Sequence, residues 1–506
     1  MRTRDLLAAL EQPPLMIHNE EALNLESEIA GLAYDSRQVE VGGLFLAIPG
    51  THTDGRLYLD DARQRGALIA LGAPLEDGQQ APLPYIEVED VRIAHANLAC
   101  AFYGNPTRQL CTIGITGTDG KTTTSNLIHL LLEAGGKHSG LMTTANFKIG
   151  QREWENRSRQ STQEALDVQR MLRQMLNEGV THAVIETTSH ALELRRVYGC
   201  EFDVGVITNI TREHLDFHQT IERYRRAKAR LFEMLDPARD KGVGCRPVAV
   251  LNRDDASYEE LRSYCRVPIL DYGIDTPASI RAVDIRMNAY STQFRLILPD
   301  AEGLIETPLV GRFNVSNCLA AIAVAYSQGI GLDKITSALA TVQSVAGRME
   351  RVDEGQSFAV IVDYAHTPDS LEKILATLRP LTERKLIVIF GSAGERDVQK
   401  RPVMGRIAAQ MSDFFVITDE DPREEDREKI LNEIAAGAEG SGKERGSDFL
   451  CIADRREAIK TAFARAQPGD TVLLAGKGHE QSIIMGREKL PWDDRQAARE
   501  LLKATV

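Results

Sequence analysis

The sequence predicts an α/β protein of three domains built on mostly parallel sheets. From about residue 110 onward, short aliphatic and β-branched runs alternate with longer helical patterns. A glycine-rich turn joins one of these runs to a helix. The chain of 506 residues is also too long for one core, and its length alone suggests about three or four domains. Strand then helix, repeated, produces a mostly parallel sheet covered on both faces.

The elements follow in order. Residues 1 to about 98 set the apolar runs GLFLAIPG, ALIALGAP and PYIEVED between turns, which reads as a small N-terminal α/β domain. The turn YGNPTRQL, from Tyr103 to Leu110, marks a boundary, and this domain is placed at 1–105. The strands CTIGIT, HAVIET (182–187), FDVGVITNI (202–210) and PVAVLN (247–252) then build a central, P-loop-like domain at 106–346. A second boundary falls near VAGRMERVD (345–353). Beyond it FAVIVDY (358–364), KLIVIF (385–390), FFVITD (414–419) and TVLLAG (471–476) define a Rossmann-like C-terminal domain at 347–506.

Composition narrows the function. Hydrophobic residues at 43% and charged residues at 26% are those of an ordinary globular protein. A net charge of −13 argues against nucleic acid as a partner, because phosphate backbones require clustered lysine and arginine. The seven cysteines are scattered and never form C-x-x-C, so neither a disulfide framework nor a zinc knuckle is expected. The N-terminus MRTRDLLAALEQPP has no apolar core of a signal peptide, and no run approaches the roughly 20 residues of a membrane span. A cytoplasmic protein, neither secreted nor membrane-inserted, is expected.

The stretch from Cys111 to Thr124, CTIGITGTDGKTTT, carries the first chemistry. Thr112 to Ile115 reads as a buried strand, and Leu127, Ile128, Leu131 and Leu132 fall at helical spacing before a Gly135-Gly136 stop. The glycines therefore sit between strand and helix, where free backbone N–H groups and the positive helix end wrap an anion. Lys121 adds charge and Thr122 a hydroxyl suited to Mg²⁺. The strict phosphate-loop pattern wants glycine at position 115 and finds Ile115.

Each strand of the C-terminal region runs into a polar tail: DYAHTPDS, FGSAGERDVQKRP, TDEDPREED and AGKGHEQS. Ligands of open parallel sheets bind beyond the carboxyl ends of the strands, so these tails are expected to converge on one crevice. In the middle region Glu186 ends a strand and can reach Mg²⁺. His214 and His218 stand four apart, but the order H-L-D-F-H is not that of a zinc protease and no third ligand is suggested. Lys228 lies among Arg223, Arg225, Arg226 and Arg230, which by charge pattern alone reads as a solvated helix face.

Taken together these segments resemble the Mur ligases, and within them the MurE type, which adds a diamino acid to UDP-N-acetylmuramoyl-L-alanyl-D-glutamate. The resemblance runs along nearly the whole chain through YDSRQVEVGGLFLAIPGTHTDG (34–55), GITGTDGKTTT, ETTSHAL, TNITREHLDFH, the AK of RRAKARLF, LNRDD, GRFNVSNCLAA, GRMERVD, VDYAHTPDSL, ERDVQKRP, DEDPRE, ADRREAI and AGKGHEQ, in family order. It implies that ATP phosphorylates the D-glutamate γ-carboxylate and that an amine then displaces phosphate to form an amide.

The resemblance also implies roles. Thr118, Asp119, Gly120, Lys121, Thr122 and Thr123 would cradle the ATP phosphates, while Asn209, Asn314, Arg348 and Asp363 match ATP-side contacts. Mg²⁺ would be held by Thr122, Glu186, His214 and Lys228, the lysine carrying a carbamate made from CO₂; arginines near Lys228 and the metal would lower its pKa. Lys121, Glu186, His214 and Lys228 form the implied catalytic set. Ser36, Thr51, His52 and Thr53 match the uridine site, and Ser161, Thr162, Thr188 and Arg196 the muramoyl-dipeptide contacts. Here the chain departs from the pattern: Ser161-Thr162 stands for a Thr-Thr pair with Gln163 next, Thr187-Thr188-Ser189 for Val-Ser-Ser, and Leu194 where a glutamine contact often occurs.

Arg396, Asp421, Pro422, Arg423, Gly476 and Glu480 match the contacts of the incoming amino acid. Arg423 favours the distal carboxylate of meso-diaminopimelate, whereas Asp421, in place of the usual asparagine, favours an ammonium without a carboxylate. The reading leans to meso-diaminopimelate, with L-lysine and L-ornithine as alternatives. A monomer is expected. Folylpoly-γ-glutamate synthetase shares the chemistry but lacks the first-domain blocks and the DPR motif. A P-loop kinase or switch GTPase leaves DYAHTP and AGKGHE unexplained, and a non-catalytic scaffold leaves the catalytic set unexplained.

Overall fold

The structure is a computed structural model that describes residues 1–50, 53–76, 79–150, 152–156, 158, 160–211, 213–288, 291–342 and 347–504. They form two compact units, one of Met1–Arg281 and Asn317–Ile335, the other of Ala282–Ser316 and Thr336–Val506.

The first unit begins with a five-stranded sheet in the order Met16–His18, Tyr85–Glu87, Ile69–Gly72, Leu44–Ala47 and Leu32–Ala33. Its neighbours are parallel except at the Met16–His18 edge. Leu44–Ala47 and Ile69–Gly72 are buried along their length, which is why they read as unbroken apolar runs. The helix Val91–Phe102 covers the sheet through Val91, Ala94 and Leu98 and starts at Asp90, whose carboxylate accepts from the amides of Arg92 and Ile93.

The same unit holds the central sheet. Ile269–Gly273, Val248–Asn252, Val204–Ile207, Cys111–Thr116, His182–Glu186 and Ser139–Met142 lie side by side and parallel. Asn146–Ile149 and Arg152–Glu155 extend it antiparallel. The helix Ile221–Glu233 approaches the middle strand so closely that a Cβ on Gly114 would sit 2.7 Å from Leu231 and 2.8 Å from Phe202. Each large aliphatic or aromatic side chain buried in such a core contributes about 1.5–3 kcal/mol.

One expectation is corrected here. Cys111, at the start of the middle strand, and Cys245, 134 residues on, are joined as a disulfide, and both are buried. Scattered spacing conceals the pair because the fold, not the sequence, brings the two together.

The second unit contains an antiparallel pair, Thr292–Ile297 with Glu302–Thr307, and a six-stranded sheet. The sheet order is Glu350–Val352, Ala359–Asp363, Thr471–Ala475, Leu386–Phe390, Phe414–Ile417 and Phe449–Cys451, parallel apart from the first strand. Alternate residues serve two cores. Leu386, Val388 and Phe390 pack with the helices Pro368–Leu378, Lys400–Met411 and Arg427–Glu439, while Ile387 and Ile389 pack with Arg455–Arg465 and Asp494–Lys503. A sheet covered on both faces leaves only its strand ends for polar work.

Candidate active site

Two clusters emerge, one in each unit. In the first, the strand Cys111–Thr116 passes through Gly117 into the helix Lys121–Ala134. Gly117 has φ +148°, and a Cβ there would run into Thr208, so the chain turns sharply beside the neighbouring strand. Thr208 Oγ1 donates to the Asp119 carbonyl at 2.6 Å, and Asn209 both donates to that carbonyl and accepts from the Asp119 amide. The Thr118 amide donates to the Asn209 carbonyl at 2.8 Å. Thr118, Asp119 and Asn209 thus shape the loop, and the N–H groups that open the helix, from Lys121 to Thr123, are those left for an anion. Lys121 Nζ folds back onto the Thr118 carbonyl at 2.6 Å.

Glu186 ends its strand 2% exposed, within reach of the same helix start. Its carboxylate accepts from Thr122 Oγ1 at 2.9 Å, from the Thr144 amide at 2.9 Å and from Thr144 Oγ1 at 2.8 Å. Thr162 Oγ1 donates to the Glu186 carbonyl, the Thr188 amide donates to Thr162 Oγ1, and Arg196 donates to the Thr162 carbonyl at 3.1 Å while pairing with Glu164 at 2.9 Å. Among the described residues the buried Arg196 Nε has no hydrogen-bond partner. Ser161 lies beside this group in sequence. His214 is 44% exposed at its side chain and holds φ +54°. His218 is buried, with its Nε2 3.0 Å from Ser189 Oγ.

Lys228 overturns its charge-pattern reading. It is 1% exposed, with Nζ donating to the Gly117 carbonyl at 2.6 Å and lying 4.3 Å from the Tyr224 ring centroid. Burial, and after it the Lys121 charge, holds its pKa well below the ordinary lysine value. The neighbouring arginines, expected to cause this, are not among the causes.

In the N-terminal sheet Ser36 is buried and hydrogen-bonds Asp61, and Thr53 Oγ1 donates to Tyr58 OH at 3.2 Å. Thr51 and His52 lie outside the described residues.

In the second unit the four polar tails meet. The Gly476 amide donates to the Asp363 carbonyl, the Gly394 amide to the Asp421 carbonyl, and the buried Arg455 guanidinium to the carbonyls of Asp419 and Ala475 while pairing with Asp494 at 2.6 Å. Asp363 accepts from the amides of Met349 and Ala365. Arg348 stacks over Tyr364, its buried Nε without a partner among the described residues, and Asn314 Nδ2 donates to the Val310 carbonyl.

At the crevice floor Lys477 is fully buried between Asp421 Oδ1 at 2.8 Å and Glu480 Oε2 at 2.5 Å. Burial works to lower the Lys477 pKa, but the charges of Glu480 and Asp421 prevail and raise it. Asp421 Oδ1 also accepts from the Ile484 amide at 3.0 Å. Burial raises the Glu420 pKa; its Oε2 has no partner among the described residues and lies 3.6 Å from where a Cβ on Gly476 would be. Arg423 holds φ +55°; among the described residues its side chain has a long 3.8 Å approach to Glu395 and a buried Nε without a partner. Pro422 sits between Asp421 and Arg423, and Arg396 is exposed in the loop after Phe390.

The catalytic domain of the Mur ligase family matches residues 28–103, the Mur ligase middle domain residues 115–325, and the Mur ligase glutamate ligase domain residues 347–478. A UDP-N-acetylmuramyl-tripeptide synthetase of Roseiflexus sp. (strain RS-1) is 49% identical over 99% of both chains.

The chain belongs to the Mur ligase family.

A further Mur relative, the UDP-N-acetylmuramoyl-L-alanyl-D-glutamate--2,6-diaminopimelate ligase of Geobacillus kaustophilus (strain HTA426), is 44% identical over 94% of this chain and 95% of its own. A solved structure of a ligase of that same name is 29% identical, with a TM-score of 0.67 over 100% of this chain and 99% of the other. This Mur ligase is an ATP-dependent, amide-forming enzyme with the family's three-domain α/β fold. Among the described residues no helix is long and apolar enough to cross a membrane.

The sequence reading missed several residues of the Mur site. Thr144 supplies two of the donors to Glu186, yet nothing in its neighbourhood marks it. Lys477 stood in a quoted motif, and its signal was available: three acidic residues of one crevice, Glu420, Asp421 and Glu480, require a buried cation. Tyr364, the platform under Arg348, was hidden in DYAHTP.

Proposed function

We propose that this ligase adds meso-diaminopimelate to the D-glutamate γ-carboxylate of UDP-N-acetylmuramoyl-L-alanyl-D-glutamate in peptidoglycan synthesis. One observation carries the choice of amino acid. Asp421, the residue that argued for lysine or ornithine, is bound to Lys477 and Ile484 N, so its Oδ1 is engaged within the protein instead of being turned to a substrate ammonium. Arg423 remains as the cation for a distal carboxylate, and its unpartnered Nε is the donor. The names of the relatives at 42–44% identity support the same substrate.

The γ-carboxylate attacks the ATP γ-phosphorus, ADP leaves, and the amine then attacks the acyl phosphate and expels phosphate, losing a proton to give the amide. Positioning and charge neutralisation do most of this work. Lys121 swings from the Thr118 carbonyl to the transferred phosphoryl group, and the helix-start amides up to Thr123 hold its oxygens. Thr122 Oγ1 and the Glu186 carboxylate form an all-oxygen pair suited to Mg²⁺, and His214 stands 6.2 Å, ring to ring, from Tyr224, whose hydroxyl bonds Thr118 of the loop. A bound Mg²⁺ would neutralise phosphate oxygens. Burial, which depresses the Lys228 pKa, favours the neutral amine, the form that takes up CO₂ as a carbamate with loss of one proton.

Arg196 Nε is the free donor for the dipeptide, flanked by Ser161, Thr162 and Thr188. Ser36 and Thr53 serve uridine, and Asn314, Arg348 and Asp363 serve ATP. Arg396 takes the α-carboxylate of the amino acid, and Glu480 and the Gly476 backbone its amine. The three tasks divide as 1–105 for the UDP-sugar, 106–346 for ATP and 347–506 for the amino acid, a division supported by family matches at 28–103, 115–325 and 347–478. The enzyme works as a cytoplasmic monomer, where ATP and the UDP-sugar are made.

Phosphate release from ATP, measured with UDP-N-acetylmuramoyl-L-Ala-D-Glu and each of meso-diaminopimelate, L-lysine and L-ornithine, tests this reading. Diaminopimelate is expected to give the highest kcat/KM. A higher value with lysine or ornithine rejects it, and a mass of two chains in sedimentation rejects the monomer.

A further inference from the structure

A cavity of about 300 Å³ lies between the helix Ser189–Glu193, with the turn after it, and the helix Ile221–Glu233. None of its lining residues belongs to the ligase site described above. Its wall joins two chemistries. Leu192, Val197 and Met234 are apolar and Tyr198 offers a ring, while Arg195, Arg226 and Arg230 bring three guanidiniums against the single carboxylate of Glu233.

The three arginines differ. Arg230 is paired with Glu193 at 2.6 Å and Arg226 with Glu233 at 2.8 Å. Among the described residues the Arg195 guanidinium has neither a hydrogen bond nor an ion pair; it lies 5.6 Å from the Tyr198 ring centroid. It also holds φ +59°, which an L-residue adopts rarely. The next residue, Arg196, is committed elsewhere, to Thr162 and Glu164. An unpaired guanidinium on an aromatic ring, two more whose half-exposed carboxylates can be displaced, and an apolar wall suit an anion with an apolar body. Guanidinium forks match phosphate geometry, and the Arg195 guanidinium, unlike the other two, brings its charge without a carboxylate partner.

We propose that this cavity is a second binding site, for a small organic phosphate carrying an aromatic or aliphatic group. Arg226 and Arg230 stand two residues to either side of Lys228. At 3.6 residues per turn they therefore point away from the face that holds it, and the ligand rests on the back of the helix that positions Lys228.

Binding of phenyl phosphate, followed by ligand-observed NMR with inorganic phosphate and benzyl alcohol as halves of the ligand, tests the site. Saturable one-to-one binding near or below about 1 mM is expected, with each half at least about tenfold weaker. Arg195→Gly deletes the guanidinium at a position whose φ glycine adopts freely, and Met234→Trp fills the apolar wall while leaving the charges. Each is expected to weaken phenyl phosphate about tenfold or more with an unchanged thermal midpoint. Phenyl phosphate that binds no better than inorganic phosphate, binding insensitive to both variants, or no saturable binding overturns the proposal.

Discussion

Asp421 and Lys228 show how far a residue's meaning depends on what folds against it. Read as a free carboxylate, Asp421 repels a distal carboxylate; bound to Lys477 at 2.8 Å it does not. Asp421→Asn is therefore expected to leave the preference for diaminopimelate over lysine within about twofold, whereas Arg423→Ala removes a charge-assisted pair of about 1.5–3 kcal/mol and lowers the diaminopimelate kcat/KM roughly 10- to 100-fold. Steady-state kinetics of both variants with both amino acids decide; a large gain for diaminopimelate in the asparagine variant contradicts the engaged Asp421. Lys228→Ala is expected to abolish amide formation, with partial recovery in formate or acetate, small carboxylates that replace the carbamate. Full activity without rescue would remove the carbamate from the mechanism. The burial of Lys228 was legible after all: Tyr224, Lys228 and Leu231 share one helix face by i, i+4 and i+3 spacing, and that face is buried. The arginines nearby in sequence masked it: Arg223, Arg226 and Arg230 occupy other faces, and Arg225, three before Lys228, is only partly exposed and reaches toward Glu260.

The elements were legible where burial is complete on both faces. Leu386–Phe390 and Thr471–Ala475 read as unbroken apolar runs because each strand packs helices on two sides, and the central strands read likewise. Their ends did not. FDVGVITNI spans nine residues in sequence, but the strand is Val204–Ile207, since Thr208 and Asn209 leave the ladder to hold the phosphate loop. Ile280–Met287 and Thr292–Ile297 escaped notice because polar residues alternate through them and mimic loop. The junction of strand and helix at Gly114 gives this scale its test. Any side chain there meets Leu231 and Phe202, so Gly114→Ala pushes the helix Ile221–Glu233 off the sheet at a cost of about 1–3 kcal/mol. Because that helix carries Lys228 to Gly117, the loss of kcat is expected to exceed the loss of ATP affinity. Urea unfolding with single-turnover kinetics separates the two effects, and an unchanged kcat shows that the helix does not set Lys228.

At the scale of the molecule, the N-terminal sheet and the central sheet share one compact unit, and a neutral histidine is part of what joins them. His95, on the helix Val91–Phe102, is 2% exposed and accepts from the Leu166 amide at the start of the helix Ala165–Asn177. Burial, with Arg92 second, lowers its pKa to about 3 from the ordinary value of 6.5. The unfolded chain therefore binds a proton that the folded chain refuses between those two values. In that window stability falls as pH falls, by up to about 1.4 kcal/mol per pH unit from this one group, while above pH 6.5 it contributes no slope. His95→Gln keeps an acceptor for Leu166 N but cannot titrate. Urea midpoints of the two proteins are expected to diverge from pH 6.5 downward, the variant holding its stability further into acid and showing the shallower slope between pH 6 and 4. Parallel curves across that range would mean that carboxylates alone drive acid unfolding and that the histidine contact opens before the molecule does.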